Sequence, residues 1–263
     1  APLDKDMNIL GAPAIEMMLR SDAPQAQLAV RLCHVHPDGA STRITYGVLN
    51  LSHRDSASDP AAMPVGEDQF VTLALDHVGY NVPEGHRLRV SISTAYWPLM
   101  WPTPTAAAVH IHRAQVGVPL HQARAQDKTV AFPPPAAAEP WQIEELRPEN
   151  HVRRQDTDMV TGTTTLVIED DFGKVRDSDH GLINGSVARE TWSIHPDDPL
   201  SARGTCHWTD EIERDDIRLR TETYSEMWCD ETTFYLRAKV EAYENDTLIF
   251  DKSLEDSIPR DHL

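Results

Sequence analysis

Over Arg87–Ser93 the side chains alternate: Leu88, Val90 and Ile92 fall on every second position, with Arg87, Arg89, Ser91 and Ser93 between them. A period of two belongs to an extended strand with one face in a core, because a helix returns its apolar positions every three to four residues. Just upstream, Pro83 fixes φ and Gly85 permits a positive φ, which supplies the turn that starts the strand. Downstream, residues 95–104 carry Tyr96, Trp97 and Trp101 among Pro98, Pro102 and Pro104. Proline has no N–H to give to a ladder, so the strand must run into an aromatic-rich loop or edge. Tyr96, Trp97 and Trp101 are therefore the candidate binding residues, as a cleft rim or a domain interface. A hydrophobic lid on the chain's own core would use the same residue types equally well.

The same alternation recurs along the first half. Residues 14–20 and 26–36 are apolar and β-compatible, with Leu28, Val30, Leu32 and His34 on one face. Pro37-Asp38-Gly39 reads as a hairpin turn into a β-branched strand over 42–51. After a polar loop over 52–66, residues 69–77 set Val71, Leu73 and Leu75 against Phe70, Thr72 and Ala74, and a further strand is expected over 106–113. With turn signals about every ten residues and no convincing amphipathic helix, residues 1–121 are expected to form a jelly-roll β-sandwich. Residues 122–150, with Pro133-Pro134-Pro135 and the alanines that follow, read as a stiff linker. Strands are expected again over 163–169, 187–194, 202–213, 216–227, 232–243 and 247–254, joined by short turns. Phe234, Leu236, Ala238 and Val240 oppose Tyr235, Arg237, Lys239 and Glu241, so residues 151–263 predict an antiparallel β-meander with one charged face. The fold class is all-β.

Charge narrows the partners. The net charge of -18 argues against nucleic acid and against an anionic membrane surface. Residues 1–140 hold 10 basic and 13 acidic side chains and residues 141–263 hold 14 and 29, giving -3 and -15, a shift expected of two units with different surfaces. No run approaches the roughly 18 apolar residues of a membrane span, and no signal peptide is visible, so a cytoplasmic, soluble protein is expected. The start at Ala1-Pro2-Leu3-Asp4 reads as a cut from something longer. Cys33, Cys206 and Cys229 are too scattered for a disulfide framework and are expected reduced.

Chemistry-bearing patterns are few. The Gly-x-Ser-x-Gly elbow of a serine hydrolase is absent, and no serine sits in a small-residue turn with a base nearby, so no catalytic residue is expected. His34 with His36 and His110 with His112 are strand-borne His-x-His pairs. Each could supply two metal ligands, but no third stands at a motif spacing, and half-buried strand histidines are the ordinary reading; no metal or cofactor is expected. Asp170-Asp171 and Asp177-Ser178-Asp179-His180-Gly181 lack the spacing and terminal glutamate of a calcium loop and read as Asx turns. A carbohydrate-binding module stacking sugar on Tyr96, Trp97 and Trp101 is the alternative function.

Two long segments carry a family likeness. One holds Ser-Asp-Ala-Pro at 21–24, then Gln-Leu-Ala-Val-Arg-Leu-Cys-His-Val-His-Pro-Asp-Gly-Ala-Ser at 27–41 and Tyr-Gly-Val-Leu-Asn at 46–50; the other is Val-Pro-Glu-Gly-His-Arg-Leu-Arg-Val-Ser-Ile-Ser at 82–93. In this order they resemble the C-terminal, galactose-binding-domain-like jelly roll of the X-prolyl dipeptidyl-peptidase, cocaine esterase (CocE/NonD) and α-amino-acid ester hydrolase family. The likeness covers roughly residues 1–120. It implies a non-catalytic accessory region whose partner is an α/β-hydrolase domain with a Ser-His-Asp triad, on which the jelly roll packs and whose cleft it borders. No catalytic residue carries over, since the matched motifs are structural. Where the family runs into a polar Asp/Asn-Phe-Pro segment, this chain has Thr94-Ala95-Tyr96-Trp97-Pro98, so a different rim or interface is expected. Residues 141–263 lie outside the shared core, with domain packing or homo-oligomerisation as the expected role.

Overall fold

The computed structural model describes residues 1–263, which form two compact units: residues 1–134 with 262–263, and residues 135–261.

The first unit is built from β1 (Met7–Gly11), β2 (Ala14–Ser21), β3 (Gln27–Val35), β4 (Ser41–Asn50), β5 (Gln69–Ala74), β6 (Val78–Val82), β7 (Arg87–Ser93) and β8 (Val109–Gly117). Pairing is antiparallel throughout, in sheets ordered β5-β2-β8, β4-β3-β7 and β1-β6. In β2 and β5 the inward face is the one the alternation marks, whereas Val90 of β7, expected inward with Leu88 and Ile92, is 37% exposed, and Ile111 of β8 is 38% exposed. Ile15, Met17 and Leu19 of β2, Leu28, Val30 and Leu32 of β3, and Val71 and Leu73 of β5 are buried in one core, with Leu88 and Ile92 of β7 packed against it. Gly47 lets β4 approach the end of β5, since a Cβ there would stand 2.7 Å from the Ala74 carbonyl oxygen. β3 differs from its neighbours because it is central and buried on both faces: Ala29, Cys33 and Val35 are covered as well as Leu28, Val30 and Leu32.

The second unit is one antiparallel sheet ordered β10-β11-β12-β13-β14-β15-β16, with β9 also paired to β11. Its strands are β9 (Ile143–Arg147), β10 (Asn150–Thr157), β11 (Thr164–Asp177), β12 (Ile183–His195), β13 (Asp198–Arg214), β14 (Ile217–Cys229), β15 (Thr233–Glu244) and β16 (Thr247–Pro259). β9 and the first residue of β10 fall within the stretch expected to be linker. β10, read as Asn-His-Val-Arg-Arg-Gln-Asp-Thr, lacks an apolar alternation and is held through pairing with β11. Register lines up Trp192, Gly204, Met227 and Leu236 on one face across four strands. Two residues along, Cys206, Ser225, Ala238 and Leu254 form the next row of that face. Together they line a shallow concavity of about 500 Å³. The other face is polar: Glu222 accepts from His207 Nε2 and from the Thr209 hydroxyl, each at 2.7 Å, and pairs with Arg220. No helix in the molecule is long and apolar enough to cross a membrane.

Candidate functional site

The outward face of β4-β3-β7 is set by the positions that alternate with the core. Register places Tyr46, Arg31 and Ser91 in one row across the three strands, and Arg43, Cys33 and Arg89 in the next. Arg31 Nη2 donates to Ser91 Oγ at 3.2 Å and to Ser93 Oγ at 3.3 Å. Its guanidinium carbon lies 5.1 Å from the centre of the Tyr96 ring. Arg43 Nη1 donates to the Tyr96 phenol oxygen at 2.6 Å while its guanidinium carbon lies 4.7 Å from the Tyr46 ring centre. Such cation–π contacts seat the arginines against aromatic faces, and the Arg31 Nε is buried there without a hydrogen-bond partner. No ion pair in the molecule uses Arg31, Arg43, Arg87 or Arg89, although carboxylates outnumber basic side chains by 42 to 24.

The aromatic loop closes one end of this face. Gln27 Nε2 donates to the Trp101 carbonyl at 2.7 Å, the Met100 N–H donates to the Tyr96 carbonyl at 2.9 Å, and Ser93 Oγ donates to the Ala95 carbonyl at 2.9 Å. Met100 is buried beneath the loop, Tyr96, Trp97 and Trp101 are half-buried, and Leu99 projects with 54% of its surface exposed. The peptide Trp97-Pro98 is cis. Trp97 and Trp101 meet edge to face, with ring centres 5.2 Å apart and planes at 78°. The structure thus gathers Tyr96 with Arg31 and Arg43, and Trp97 with Trp101. The two tryptophans present an edge-to-face pair and do not lie side by side as a flat platform.

Sequence reasoning missed the arginines, because residues 31, 43 and 89 become neighbours only through strand register. It also missed His86. That ring meets His34, with Nδ1 of His86 2.5 Å from Nε2 of His34, and the ligand atoms of His34, His36 and His86 all lie within 4.8 Å of one another. By contrast, His110 and His112 on β8 are exposed, and His112 Nε2 pairs with Asp68 at 3.0 Å.

A serine–histidine contact does occur, Ser52 Oγ to His53 Nδ1 at 3.1 Å. The Ser52 side chain is buried, and its hydroxyl donates to the His262 carbonyl at 2.8 Å, which is not the arrangement of a poised nucleophile. The acidic turn behaves as an Asx turn: Asp177 accepts from the Trp141 indole at 2.7 Å and from the Asp179 N–H at 2.8 Å, and these bonds hold its carboxyl below its ordinary value.

Residues 1–144 match the sequence family described as X-Pro dipeptidyl-peptidase C-terminal non-catalytic domain. No curated protein matches the chain. Among solved structures, a selenomethionine-labelled α-amino acid ester hydrolase is similar at 17% identity and a TM-score of 0.44, over 46% of this chain and 24% of that one. An aminopeptidase from a marine sediment Thaumarchaeota archaeon is similar at 14% identity and 0.44, over 46% and 25%. A CocE/NonD family hydrolase from Staphylococcus aureus is similar at 16% identity and 0.35, over 46% and 30%. The chain therefore spans less than a third of the length of each of these.

Proposed function

The chain belongs to the X-Pro dipeptidyl-peptidase C-terminal non-catalytic domain family, and from that premise we propose that it is the accessory region of a serine hydrolase acting on acyl or peptidyl bonds. Its outward β4-β3-β7 face and the Tyr96–Trp101 loop dock on an α/β-hydrolase domain and border the entrance to its cleft. The observation that carries this reading is a set of arginines without acidic partners, beside Tyr46 and Tyr96, on one face of a strongly acidic chain. Guanidinium groups held against aromatic rings, next to a protruding Leu99, have the make-up of an interface whose partner supplies carboxylates and an apolar recess. The edge-to-face packing of Trp97 on Trp101 favours docking over sugar stacking, which needs an open aromatic face.

Binding between this chain and the separately produced hydrolase domain, followed by calorimetry, tests the proposal. Saturable binding is expected to weaken by about tenfold or more in Arg43→Glu/Arg89→Glu, and to weaken with salt. Affinity unchanged in that double variant and in Leu99→Asp would overturn the docking face. The isolated chain should turn over neither X-Pro nor acyl substrates, and hydrolysis abolished by a serine-directed inhibitor would overturn the accessory role.

A further inference from the structure

On the core side of the sheet that carries the arginine face, three imidazoles converge. His34 is near the end of β3, His36 follows it by two residues and shares its face, and His86 closes the turn before β7. The β3–β7 register, which pairs Val35 with Arg87, brings His36 opposite His86 at the next step. We infer that His34, His36 and His86 form a binding site for a divalent first-row transition-metal cation, with Zn²⁺ as the fitting ion.

A hydrogen-bonded histidine pair accounts for only part of this geometry. His34 Nε2 and His86 Nδ1 could share one proton, but at 2.5 Å they are closer than a neutral nitrogen–nitrogen bond requires. The third ring, His36, stacks on His34 with centres 3.9 Å apart and makes no hydrogen bond to either partner, yet its ligand nitrogen lies within the same 4.8 Å. In a tetrahedral shell with Zn–N bonds of about 2.0–2.1 Å, ligand nitrogens stand about 3.3 Å apart, so small ring rotations open the cluster around an ion.

The surroundings supply what a histidine ligand needs on its far nitrogen. His34 Nδ1 is 3.0 Å from the Tyr80 hydroxyl and His36 Nε2 is 3.3 Å from the Thr42 hydroxyl, and in the tautomer where these nitrogens donate to the hydroxyl oxygens, Nε2 of His34 and Nδ1 of His36 carry the lone pairs. The backbone is pinned at two of the three positions: the His36 N–H donates to the Ala40 carbonyl at 2.8 Å, and the His86 carbonyl accepts from the Leu3 N–H at 2.8 Å. His34 is buried, while His36 and His86 are half-exposed, so the ion reaches the site from solvent and a water can complete its shell. Three imidazoles without a carboxylate select zinc, nickel or copper over calcium and magnesium, which take oxygen ligands.

Dialysed full chain titrated with Zn²⁺, and with Co²⁺ for its visible ligand-field bands, tests the site. One equivalent is expected to bind, with affinity at least about tenfold lower in His36→Ala and in His86→Ala. These two half-exposed positions spare the core packing that His34→Ala would disturb. His110→Ala/His112→Ala should bind as the unmodified chain does, and Zn²⁺ should raise the melting temperature of the unmodified chain and not of His86→Ala. Equal affinity in His86→Ala and the unmodified chain, or no saturable binding by the unmodified chain, would overturn the assignment.

Discussion

Gly204 lies under the ring of Trp192: a Cβ at that position would stand 2.6 Å from Cζ3 and 2.9 Å from Cε3 of the indole. The two residues are cross-strand partners, so the ring crosses the neighbouring strand where a side chain would otherwise be. Gly204→Ala should therefore destabilise the second unit by about 1–3 kcal/mol, read as a lower denaturant midpoint followed by tryptophan fluorescence. Asp230, in the turn between β14 and β15, offers a different kind of test. The Tyr235 hydroxyl donates to its Oδ2 at 2.7 Å, and the Thr232 and Thr233 N–H groups donate to its Oδ1 at 2.7 and 2.8 Å. These bonds favour the carboxylate and draw its pKa from 3.8 to about 2, the tyrosine bond contributing most. Since the folded value is the lower one, the stability it contributes is present above 3.8 and is lost as pH falls through about 2. Tyr235→Phe should return the carboxyl toward 3.8, as read by carbon NMR across an acid titration. An unchanged titration would show that the backbone donors alone hold it.

The loop between β7 and β8 stays in place through a few named contacts. Gln27, buried at the start of β3, reaches the Trp101 carbonyl, and Met100 packs beneath the loop. Gln27→Leu keeps the volume but removes the donor, so amide exchange at Met100 should quicken while that of Val30 in the core of β3 stays slow. Equal protection of Met100 in both forms would mean that apolar packing alone seats the loop. Elements whose burial follows their own period were the most legible, as in β2 and β5, whereas β3 alternates in sequence but is covered on both faces by its central position. β6, Val-Gly-Tyr-Asn-Val, was less legible: Val78, Tyr80 and Val82 do alternate with the exposed Gly79 and Asn81, but those two are poor strand formers and pairing with β1 holds the short segment. The strand expected over 106–113 begins at Val109 and runs to Gly117, since its end is set by pairing with Ala14 of β2.

At the scale of the molecule, the stretch from residue 122 to 142 is exposed and, apart from a single 3₁₀ turn over Ala125–Thr129, has no regular structure. Limited proteolysis should cut there first, giving two protease-resistant fragments that mass spectrometry identifies; first cuts inside β3 or β13 would contradict the division at residue 134. The sequence alone determined the all-β class, the inward faces of β2 and β5, the charged face of the meander and the likeness to a hydrolase accessory domain. Each of these rests on local periodicity or on contiguous motifs. Tertiary structure alone decided which residues meet. Tyr96 was visible as an aromatic in a proline-rich loop, but Arg31 and Arg43 reach it only through the register of β3 with β4 and the return of the loop over that face. His34 and His36 stood as an obvious pair, whereas His86 joins them across 52 residues of chain because β7 pairs with β3. Alternation tells a strand which way to face. It says nothing about which strand lies beside it, since backbone hydrogen bonds are alike at every register and only the summed packing of the core selects one.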